Sequence, residues 1–244
     1  MKTLGIDIGG TGIKAAIVEN GELVTDRFRV DTPQPATPKA VAHTVQTVCS
    51  HFQWSGPIGC AFPSVIQNGI AKTAANIDQG WVDCAVDRLL AEHTSCPVVV
   101  LNDADAAGLA EIRFGSMDYH PYRSIMFVTI GTGLGTALFR DGTLFPNTEL
   151  GHLVLNGTKV EHYASRATKT REDLSWEEWG ARFDEVLALY ERLFWPDLFV
   201  LGGGNGKRFH KFSSYLHRSI PVVAASLHND AGIIGAGVAA QSLS

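Results

Sequence analysis

The stretch LGIDIGGTGIK, residues 4–14, decides the fold of this chain. It starts as an apolar run with a single acid, Asp7, and then turns at the glycine pair Gly9-Gly10 before Thr11. A short apolar run that is broken by glycines predicts a strand that folds back on itself. Glycine turns also leave backbone N–H groups open, because no Cβ blocks the approach of a phosphate. We therefore expect a hairpin that binds an anion.

A second stretch, MFVTIGTGLGTALFRDGTLF at residues 126–145, repeats this order of strand, glycine turn, strand and tight turn. The overlay matches Ile8-Gly9 with Ile130-Gly131, Ala15 with Ala137 and, after a slip of one residue, Asn20-Gly21 with Asp141-Gly142. Asn-Gly and Asp-Gly pairs favour tight hairpin turns, because both residues tolerate a positive φ there. Two such hairpins indicate a duplicated domain, although a common local motif would give the same short match.

The composition is that of a globular protein with one large domain or two small ones. The chain has 244 residues, of which 45% are hydrophobic and 18% are charged, with a net charge of −5. This acidic balance does not suit nucleic-acid binding, and no apolar run approaches the roughly 20 residues of a membrane helix. The first strand follows Met1 and Lys2 without a signal peptide. We expect a cytoplasmic protein with neither a nucleic-acid nor a membrane partner.

The four cysteines, Cys49, Cys60, Cys84 and Cys96, have no CxxC spacing. This spacing argues against a zinc ribbon and favours buried, reduced thiols.

Strands alternate with helices along the rest of the chain, which predicts the α/β class. Helices are expected after Thr37-Pro38, over residues 82–93, from a Ser175–Glu178 capping box to about Phe194, and, rich in Lys, Arg and His, after the glycines at 202–204. Polar or glycine residues follow the predicted strands at Asp7, Asn102-Asp103, Gly131 and Gly202. Open α/β sheets bind their ligands at the carboxyl ends of their strands, so we expect the site there.

The segment VLNDADAAGLAE places Asn102 and Asp103 where a buried strand meets a helix. Asp103 can accept a proton from a substrate hydroxyl as a general base for phosphoryl transfer, and Asn102 can hydrogen-bond neighbouring hydroxyls. The alternative is that Asp103 only caps the helix.

Glu149 and His152 stand three residues apart in PNTELGHL, and Glu161 follows shortly after. These side chains suit a polyhydroxyl substrate, since two residues alone do not make a metal site. Asp7 precedes a phosphate turn, where a carboxylate repels phosphate unless Mg²⁺ lies between them, held directly or through water.

The chain resembles the ROK family of sugar kinases over nearly its whole length, in the motifs DIGGTGIK, LNDADAAGLAE, IGTGLGTALFRDG, NTELGHL and LGGG. The strings PNTELGH, REDLSWEEW, PDLFVLGGG and NDAGIIGA are similar in particular to the polyphosphate glucokinases of that family. The resemblance implies an actin-like (ribonuclease H-like) ATPase fold of two similar α/β lobes with a cleft between them. The lobes would span residues 1–110 and 111–244, with the C-terminal helix packed back on the first lobe.

The resemblance also implies roles for single residues. Asp103 matches the catalytic base of the family. The implied sugar ligands are Asn76, Asn102, Asp103, Glu149, His152 and Glu161. The implied phosphate turns are Gly9, Gly10, Thr11, Gly131, Thr132 and Gly133, to which the sequence adds Asp7, Lys14, Thr129, Gly202, Gly203, Gly204, Lys207 and Lys211. Lys14 would equally fit a solvated strand face.

One departure from the family concerns zinc. Most members carry three closely spaced cysteines and a histidine after the ELGH segment, whereas residues 153–170 hold no cysteine here. We therefore expect no zinc and assign His152 to the sugar alone.

The implied activity is transfer of a phosphoryl group from inorganic polyphosphate, ATP or both to the 6-hydroxyl of glucose, with Mg²⁺, by a homodimer. The alternatives are a strictly ATP-dependent kinase of another hexose or N-acetylhexosamine, a sugar-sensing regulator, and an actin-like cytoskeletal ATPase. A regulator of this family carries an N-terminal helix-turn-helix, and a cytoskeletal ATPase has no need of the sugar set.

The segment GGGNGKRFHKF, residues 202–212, suggests how a polyphosphate donor would be held. Lys207 and Lys211 are four residues apart, so they share one face of the predicted helix beside a glycine turn. The alternative is a solvated basic helix. Polyphosphate continues as repeated charge and needs a basic track, whereas a nucleotide ends in an adenosine that needs an apolar slot.

Overall fold

The structure is a computed structural model that describes residues 1–75 and 77–243. The chain divides into two compact units. Unit 1 combines Met1–Phe114 with the C-terminal segment that starts at Asp230, and unit 2 spans Gly115–Asn229. None of the helices in the described ranges combines the length and apolarity that crossing a membrane requires.

The strands are short and mostly buried. They are β1 (Lys2–Ile8), β2 (Gly12–Glu19), β3 (Glu22–Leu23), β4 (Phe28–Asp31), β5 (Ile58–Phe62), β6 (Ile66–Gln67), β7 (Ile70–Ala71), β8 (Val98–Asn102), β9 (Ser124–Ile130), β10 (Leu134–Arg140), β11 (Thr143–Phe145), β12 (Val154–Leu155), β13 (Thr158–Lys159), β14 (Leu198–Gly202) and β15 (Val222–Ala224).

The helices differ widely in length. They are α1 (Pro38–His51), α2 (Val86–Thr94), α3 (Asp103–Phe114), α4 (Val160–Ala164), α5 (Arg166–Arg171), α6 (Trp176–Phe194), α7 (Gly203–Gly206) and α8 (Ala231–Ala240).

The two units share one sheet topology. The sheet of unit 1 has the order β3-β2-β1-β5-β8, with β4 also paired to β2, and that of unit 2 has the order β11-β10-β9-β14-β15. In both sheets the central strand pairs antiparallel with a hairpin partner on one side and parallel with a later strand on the other. The mixed α/β class is therefore confirmed, and the repeat extends well beyond the two hairpins.

Helix α8 belongs to unit 1, although it follows unit 2 in the chain. Strands β1 and β5 meet it through Gly5 and Gly59, where a Cβ would overlap the carbonyl groups of Ile233 and Ala236. The hydroxyl of Thr3 donates to the carbonyl oxygen of Gly237 at 2.7 Å. Backbone-to-backbone approach at the two glycines therefore fixes α8 on this sheet.

The tight turns of the two hairpins have the predicted conformation. Asn20 and Gly21 have φ of 52° and 81°, and Asp141 and Gly142 have φ of 49° and 73°. The overlay of Ala15 on Ala137 is wrong by one residue, because Ala16 pairs with Gly5 and Ala137 pairs with Phe127, each three residues before the strand end at Ile8 or Ile130. The one-residue difference between the two hairpins lies in the glycine turns. Four residues separate Ile8 from its partner Ile13, whereas three separate Ile130 from its partner Leu134.

The predicted caps of two helices are confirmed. The hydroxyl of Thr37 accepts the N–H of Ala40 at the start of α1. Ser175 and Glu178 form a reciprocal capping box at the start of α6, which ends at Phe194.

The predicted basic helix after the third glycine turn is wrong. The chain forms the four-residue α7 and then two single 3₁₀ turns, Phe209–Lys211 and Ser213–Tyr215. Glycines make a poor helix interior, and the buried side chain of Phe212 anchors the segment to the aromatic core of unit 2. Lys207 and Lys211 therefore do not share a helix face.

Candidate active site

The junction of β8 and α3 carries the predicted base. The side-chain oxygen of Asn102 accepts the N–H groups of Ala104 at 2.8 Å and Asp105 at 3.2 Å, so Asn102 is the residue that caps α3. Asp103 is solvent-exposed, and its carboxylate also accepts the N–H of Ala104 at 2.8 Å. Asn102 therefore makes the main cap of α3, Asp103 shares its first N–H group, and Asp103 is the exposed residue of the pair at the carboxyl end of β8.

Asn102 is more heavily engaged than the sequence predicts. Its side-chain NH₂ group donates to the carbonyl oxygen of Ser64 at 3.1 Å, which leaves a single N–H for a substrate hydroxyl. The hydroxyl of Ser64 in turn donates to the carbonyl oxygen of Thr73 at 2.7 Å and joins two loops beside β5. Sequence reasoning did not single out Ser64. Asn76, predicted as a sugar ligand, lies outside the described residues.

The first glycine turn offers backbone donors. The carbonyl groups of Gly9, Gly10 and Thr11 accept from Thr32 at 2.6 Å, Gln34 at 3.4 Å and Arg29 at 3.3 Å, respectively. Their N–H groups therefore point away from those partners. Within the described part of the chain, the N–H groups of Gly10 and Thr11 have no hydrogen-bond acceptor. Two such N–H groups at one turn are the kind of donors that can bind an anion, and anion binding here stays a prediction.

Asp7 and Lys14 face each other across the β1–β2 hairpin. The register pairs the two residues, and the Lys14 ammonium lies 3.5 Å from the Asp7 carboxylate. Burial raises the pKa of Asp7, and the charge and hydrogen bond of Lys14 only partly offset that effect. A buried carboxylate that one lysine does not fully compensate fits a further cation, and oxygen ligands of this kind suit Mg²⁺. Lys14 thus forms an ion pair with Asp7 within the hairpin.

The second glycine turn lies against a predicted sugar ligand. A Cβ at Gly133 would lie 2.7 Å from Oε2 of Glu161, so only glycine leaves room for that carboxylate. The exposed Thr132 occupies the tip of the turn, as Thr11 does in unit 1. The carbonyl oxygen of Gly131 accepts the N–H of Arg166 at 3.1 Å, which ties the turn to the start of α5. Unit 2 thus holds the second glycine turn close against the carboxylate of Glu161.

The structure brings the three predicted sugar ligands of unit 2 together. Nε2 of His152 lies 3.4 Å from Oε1 of Glu161. Loss of hydration around its carboxyl group raises the pKa of Glu149; the charge of His152 opposes this shift, and the charge of Glu161 adds to it. All three side chains therefore lie within electrostatic reach of one another. The two carboxylates can accept hydrogen bonds from sugar hydroxyls, and the imidazole can donate or accept them.

The loop that carries Glu149 and His152 is held by residues that the sequence did not identify. The hydroxyl of Thr136 donates to the carbonyl oxygen of Thr148 and the hydroxyl of Thr148 donates to that of Thr136, both at 2.8 Å. The phenol of Tyr190 donates to the carbonyl oxygen of Leu150 at 3.2 Å. Thr136 is buried, and its two hydrogen bonds with Thr148 hold this loop in place.

The third glycine turn has a packing role. Gly203 has a positive φ of 76°, and a Cβ there would lie 2.6 Å from the backbone nitrogen of Ile130. Thr129 precedes Ile130 in β9, at the position that Asp7 has before Ile8 in β1, and it pairs with Gly202 of β14. These residues therefore line the same sheet edge as the second glycine turn.

Among the residues that the structure describes, no group of three or more His, Cys, Asp or Glu side chains is arranged to hold a metal ion. The expectation that this protein binds no zinc stays a prediction, which metal analysis of the purified protein would test. A magnesium ion held with a phosphate substrate needs only one or two protein carboxylates, because phosphate oxygens and water complete its coordination.

Comparison with known proteins gives a consistent result. A model of the ROK family matches residues 3–166. The polyphosphate glucokinase of Mycobacterium tuberculosis (strain ATCC 25618 / H37Rv) is 44% identical over 238 residues, which are 96% of this chain and 89% of the relative. The polyphosphate glucokinase of Mycobacterium leprae (strain TN) is 43% identical over 98% of this chain and 74% of its own length.

Among solved structures, the inorganic polyphosphate/ATP-glucomannokinase of Arthrobacter sp. strain KM is 42% identical to this chain. The two superpose with a TM-score of 0.94 over 100% of this chain and 99% of the other. The duplicated sheets and the motifs at their edges thus belong to the actin-like fold of such kinases. The chain belongs to the ROK family.

Proposed function

We propose that this chain is a polyphosphate glucokinase. It transfers the terminal phosphoryl group of inorganic polyphosphate, and of ATP, to the 6-hydroxyl of glucose and forms glucose 6-phosphate. The names of the relatives support both donors and the sugar. The four cysteines are free thiols, which suits the reducing cytoplasm that we propose as its location.

One observation carries the assignment of the base. Asn102 caps α3 through two N–H groups, and the carboxylate of the neighbouring Asp103 is exposed to solvent at the carboxyl end of β8. In the proposed reaction, the glucose 6-oxygen forms a bond to the transferring phosphorus while the bond from that phosphorus to the donor bridging oxygen breaks. The proton of the 6-hydroxyl goes to the carboxylate of Asp103.

The residues of unit 2 orient the sugar. Glu149, His152 and Glu161 bind glucose hydroxyls, and Gly133 keeps the backbone of the phosphate turn against Glu161. Such positioning lowers the barrier because the reacting oxygen is held in line with the phosphorus. Backbone N–H groups of the first turn, at Gly10 and Thr11, stabilise phosphate oxygens as charge develops.

Asp7 is the side chain that would hold Mg²⁺. Bound there, the ion would neutralise phosphate charge during transfer. The ammonium of Lys14 lies 3.5 Å from this carboxylate and opposes the rise in the pKa of Asp7 that burial causes.

The direct test is a donor comparison. Purified protein, glucose and Mg²⁺ are incubated with long-chain polyphosphate or with ATP, and glucose 6-phosphate is measured. We expect turnover with polyphosphate; turnover with ATP alone would support the strictly nucleotide-dependent alternative, and none with either donor would refute the proposal. Mannose as a second acceptor would define sugar selectivity, and analytical ultracentrifugation would test the predicted homodimer.

A further inference from the structure

We propose that a cationic ledge in unit 2 binds the distal phosphates of a long polyphosphate donor. The ledge consists of Arg166 and Lys169 on α5 and of Lys207, Arg208 and Lys211 in the turns after α7. The inference rests on the proposed use of polyphosphate and adds α5 and an indole platform, which the sequence does not predict.

Two lysines from distant parts of the chain share one aromatic ring. Nζ of Lys169 lies 4.4 Å from the centroid of the Trp176 ring, and Nζ of Lys211 lies 5.9 Å from it. The ring attracts each ammonium group, so both cations are held in place before a ligand arrives. Trp176 is itself stacked on Phe212, with ring centroids 6.0 Å apart, and Phe212 is fully buried. The platform is therefore anchored in the core of unit 2.

The ledge begins at the glycine turns of unit 2. The guanidinium of Arg166 lies over Gly204, where a Cβ would be 2.7 Å from it. The backbone N–H of the same arginine donates to the carbonyl oxygen of Gly131. Lys169 is one turn further along α5, on the same face. A polyanion that starts at the Gly131 turn would thus meet Arg166 first and the lysines beyond it.

The charges of the ledge are not neutralised by the protein. Within the described ranges, none of its five cations lies within 4.0 Å of a carboxylate, whereas the neighbouring Arg171 and Arg182 both pair with Glu172. The carboxylate of Glu178 feels the charge of Lys169 but is held by the N–H of Ser175 at 2.8 Å. Residues 198–229 contain no Asp or Glu at all, in a chain whose net charge is −5.

A basic strip of this kind fits a linear chain of phosphates better than a nucleotide. Each added phosphate brings a charge that the next cation can bind, and release of small counterions adds to the affinity. ATP ends after three phosphates, so it can reach the glycine turns without reaching Lys169 and Lys211.

The test compares Lys169→Gln/Lys211→Gln with a matched control. The control, Lys2→Gln/Arg192→Gln, removes the same charge from two exposed cations that form no ion pair with residues 1–75 or 77–243. Arg192 stands near the other end of α6 from Trp176, about 24 Å along the helix axis. Donors are long-chain polyphosphate, tripolyphosphate and ATP, and direct binding of long polyphosphate is measured by calorimetry without glucose.

We expect the ledge variant to lose about fivefold in kcat/KM and in affinity for each lysine with long polyphosphate. It should keep wild-type values with tripolyphosphate and ATP and an unchanged KM for glucose, and the control should match the wild type. Equal losses with all donors, no loss with long polyphosphate, or an equal loss in the control would overturn the ledge. If the wild type phosphorylates glucose from no donor, the proposed function fails, and the calorimetric comparison still decides the ledge by itself.

Discussion

Asn102 and Asp103 divide two tasks that the sequence cannot separate. Both residue types cap helices well, so the string LNDADA leaves either as the cap. The structure gives capping to the buried Asn102 and leaves Asp103 at the surface. Of two adjacent polar residues, Asn102 therefore has a structural role in the cap, and Asp103 is the one that we propose as the base.

This division predicts the effect of Asp103→Asn. Asparagine keeps the size of the side chain but cannot accept the proton, so kcat should fall about 100- to 10,000-fold. Glucose affinity and melting temperature should stay close to the wild type, because the cap at Asn102 is intact. Calorimetry and initial rates check both values. Retention of most of the turnover would mean that Asp103 is not the base.

The sugar ligands of unit 2 give a second residue-level prediction. Glu149→Gln, His152→Ala and Glu161→Gln should each weaken glucose binding by roughly 1.5–3 kcal/mol, the range for hydrogen bonds to charged groups. The raised pKa of Glu149 means that it protonates at a higher pH than an ordinary glutamate, so affinity should fall early as the pH is lowered. Glu149→Gln should flatten that part of the profile. Wild-type affinity in all three variants would exclude this set.

Asp7 combines a cost in stability with a proposed use in metal binding. An acid whose pKa is raised in the folded state is favoured in its protonated form, so its ionised form lowers the free energy of unfolding at neutral pH. Asp7→Asn should therefore raise the melting temperature in EDTA. Added Mg²⁺ with polyphosphate should stabilise the wild type more than the variant. An equal response of both proteins to Mg²⁺ would place the ion elsewhere.

At the scale of elements, the 3₁₀ turn Leu150–His152 is fixed by a residue on α6. Tyr190→Phe removes the hydrogen bond to the carbonyl oxygen of Leu150, whose net value is about 1 kcal/mol. We expect a roughly two- to tenfold rise in the KM for glucose with a smaller change in kcat. Tyr163→Phe is the matched control, since that phenol donates to Glu185 instead. Equal kinetics in both variants would limit Tyr190 to a packing role.

The elements that the sequence predicts well are those with local causes. The cap of α1, the capping box of α6 and the Asn-Gly and Asp-Gly turns each depend on residues within a few positions of one another. Helix α2 starts at Val86 rather than residue 82, because the N–H of Ala71 donates to Cys84 and its carbonyl oxygen accepts from Asp83. These bonds hold the segment in a turn in which Asp83 has a positive φ of 61°. The hydrogen bonds from Tyr190 to Leu150 and from Arg166 to Gly131 join residues that are far apart in the chain, so no local sequence pattern predicts them.

At the scale of the whole molecule, this acidic chain contains one long segment that has basic residues but no acidic ones. The net charge of −5 hides a stretch from 198 to 229 without any acid. Exposed charges are screened over roughly 8–10 Å at physiological salt. Rising salt should therefore reduce kcat/KM for long polyphosphate more steeply than for ATP, and Lys169→Gln/Lys211→Gln should lessen that difference. Parallel salt curves for the two donors would contradict a polyelectrolyte site.

The sequence predicts the duplicated plan because the two hairpins resemble each other, and the family motifs extend that plan over the chain. The sites of close backbone packing are less visible. Gly5 and Gly59 read as ordinary small residues in apolar runs, and only their approach to Ile233 and Ala236 explains them. Packing partners that are more than 170 residues apart leave no periodic signal.

The position of α8 has a consequence for biosynthesis. Unit 2 is one uninterrupted segment, whereas the sheet of unit 1, whose strands share a core with α1 and α2, lacks α8 until residues 231–240 have left the ribosome. At 5–20 residues per second, roughly ten seconds of translation separate the end of α3 from the emergence of α8. The first unit to be synthesised is thus the last to be completed, and the strand positions that α8 covers, at Gly5 and Gly59, stay open during that interval.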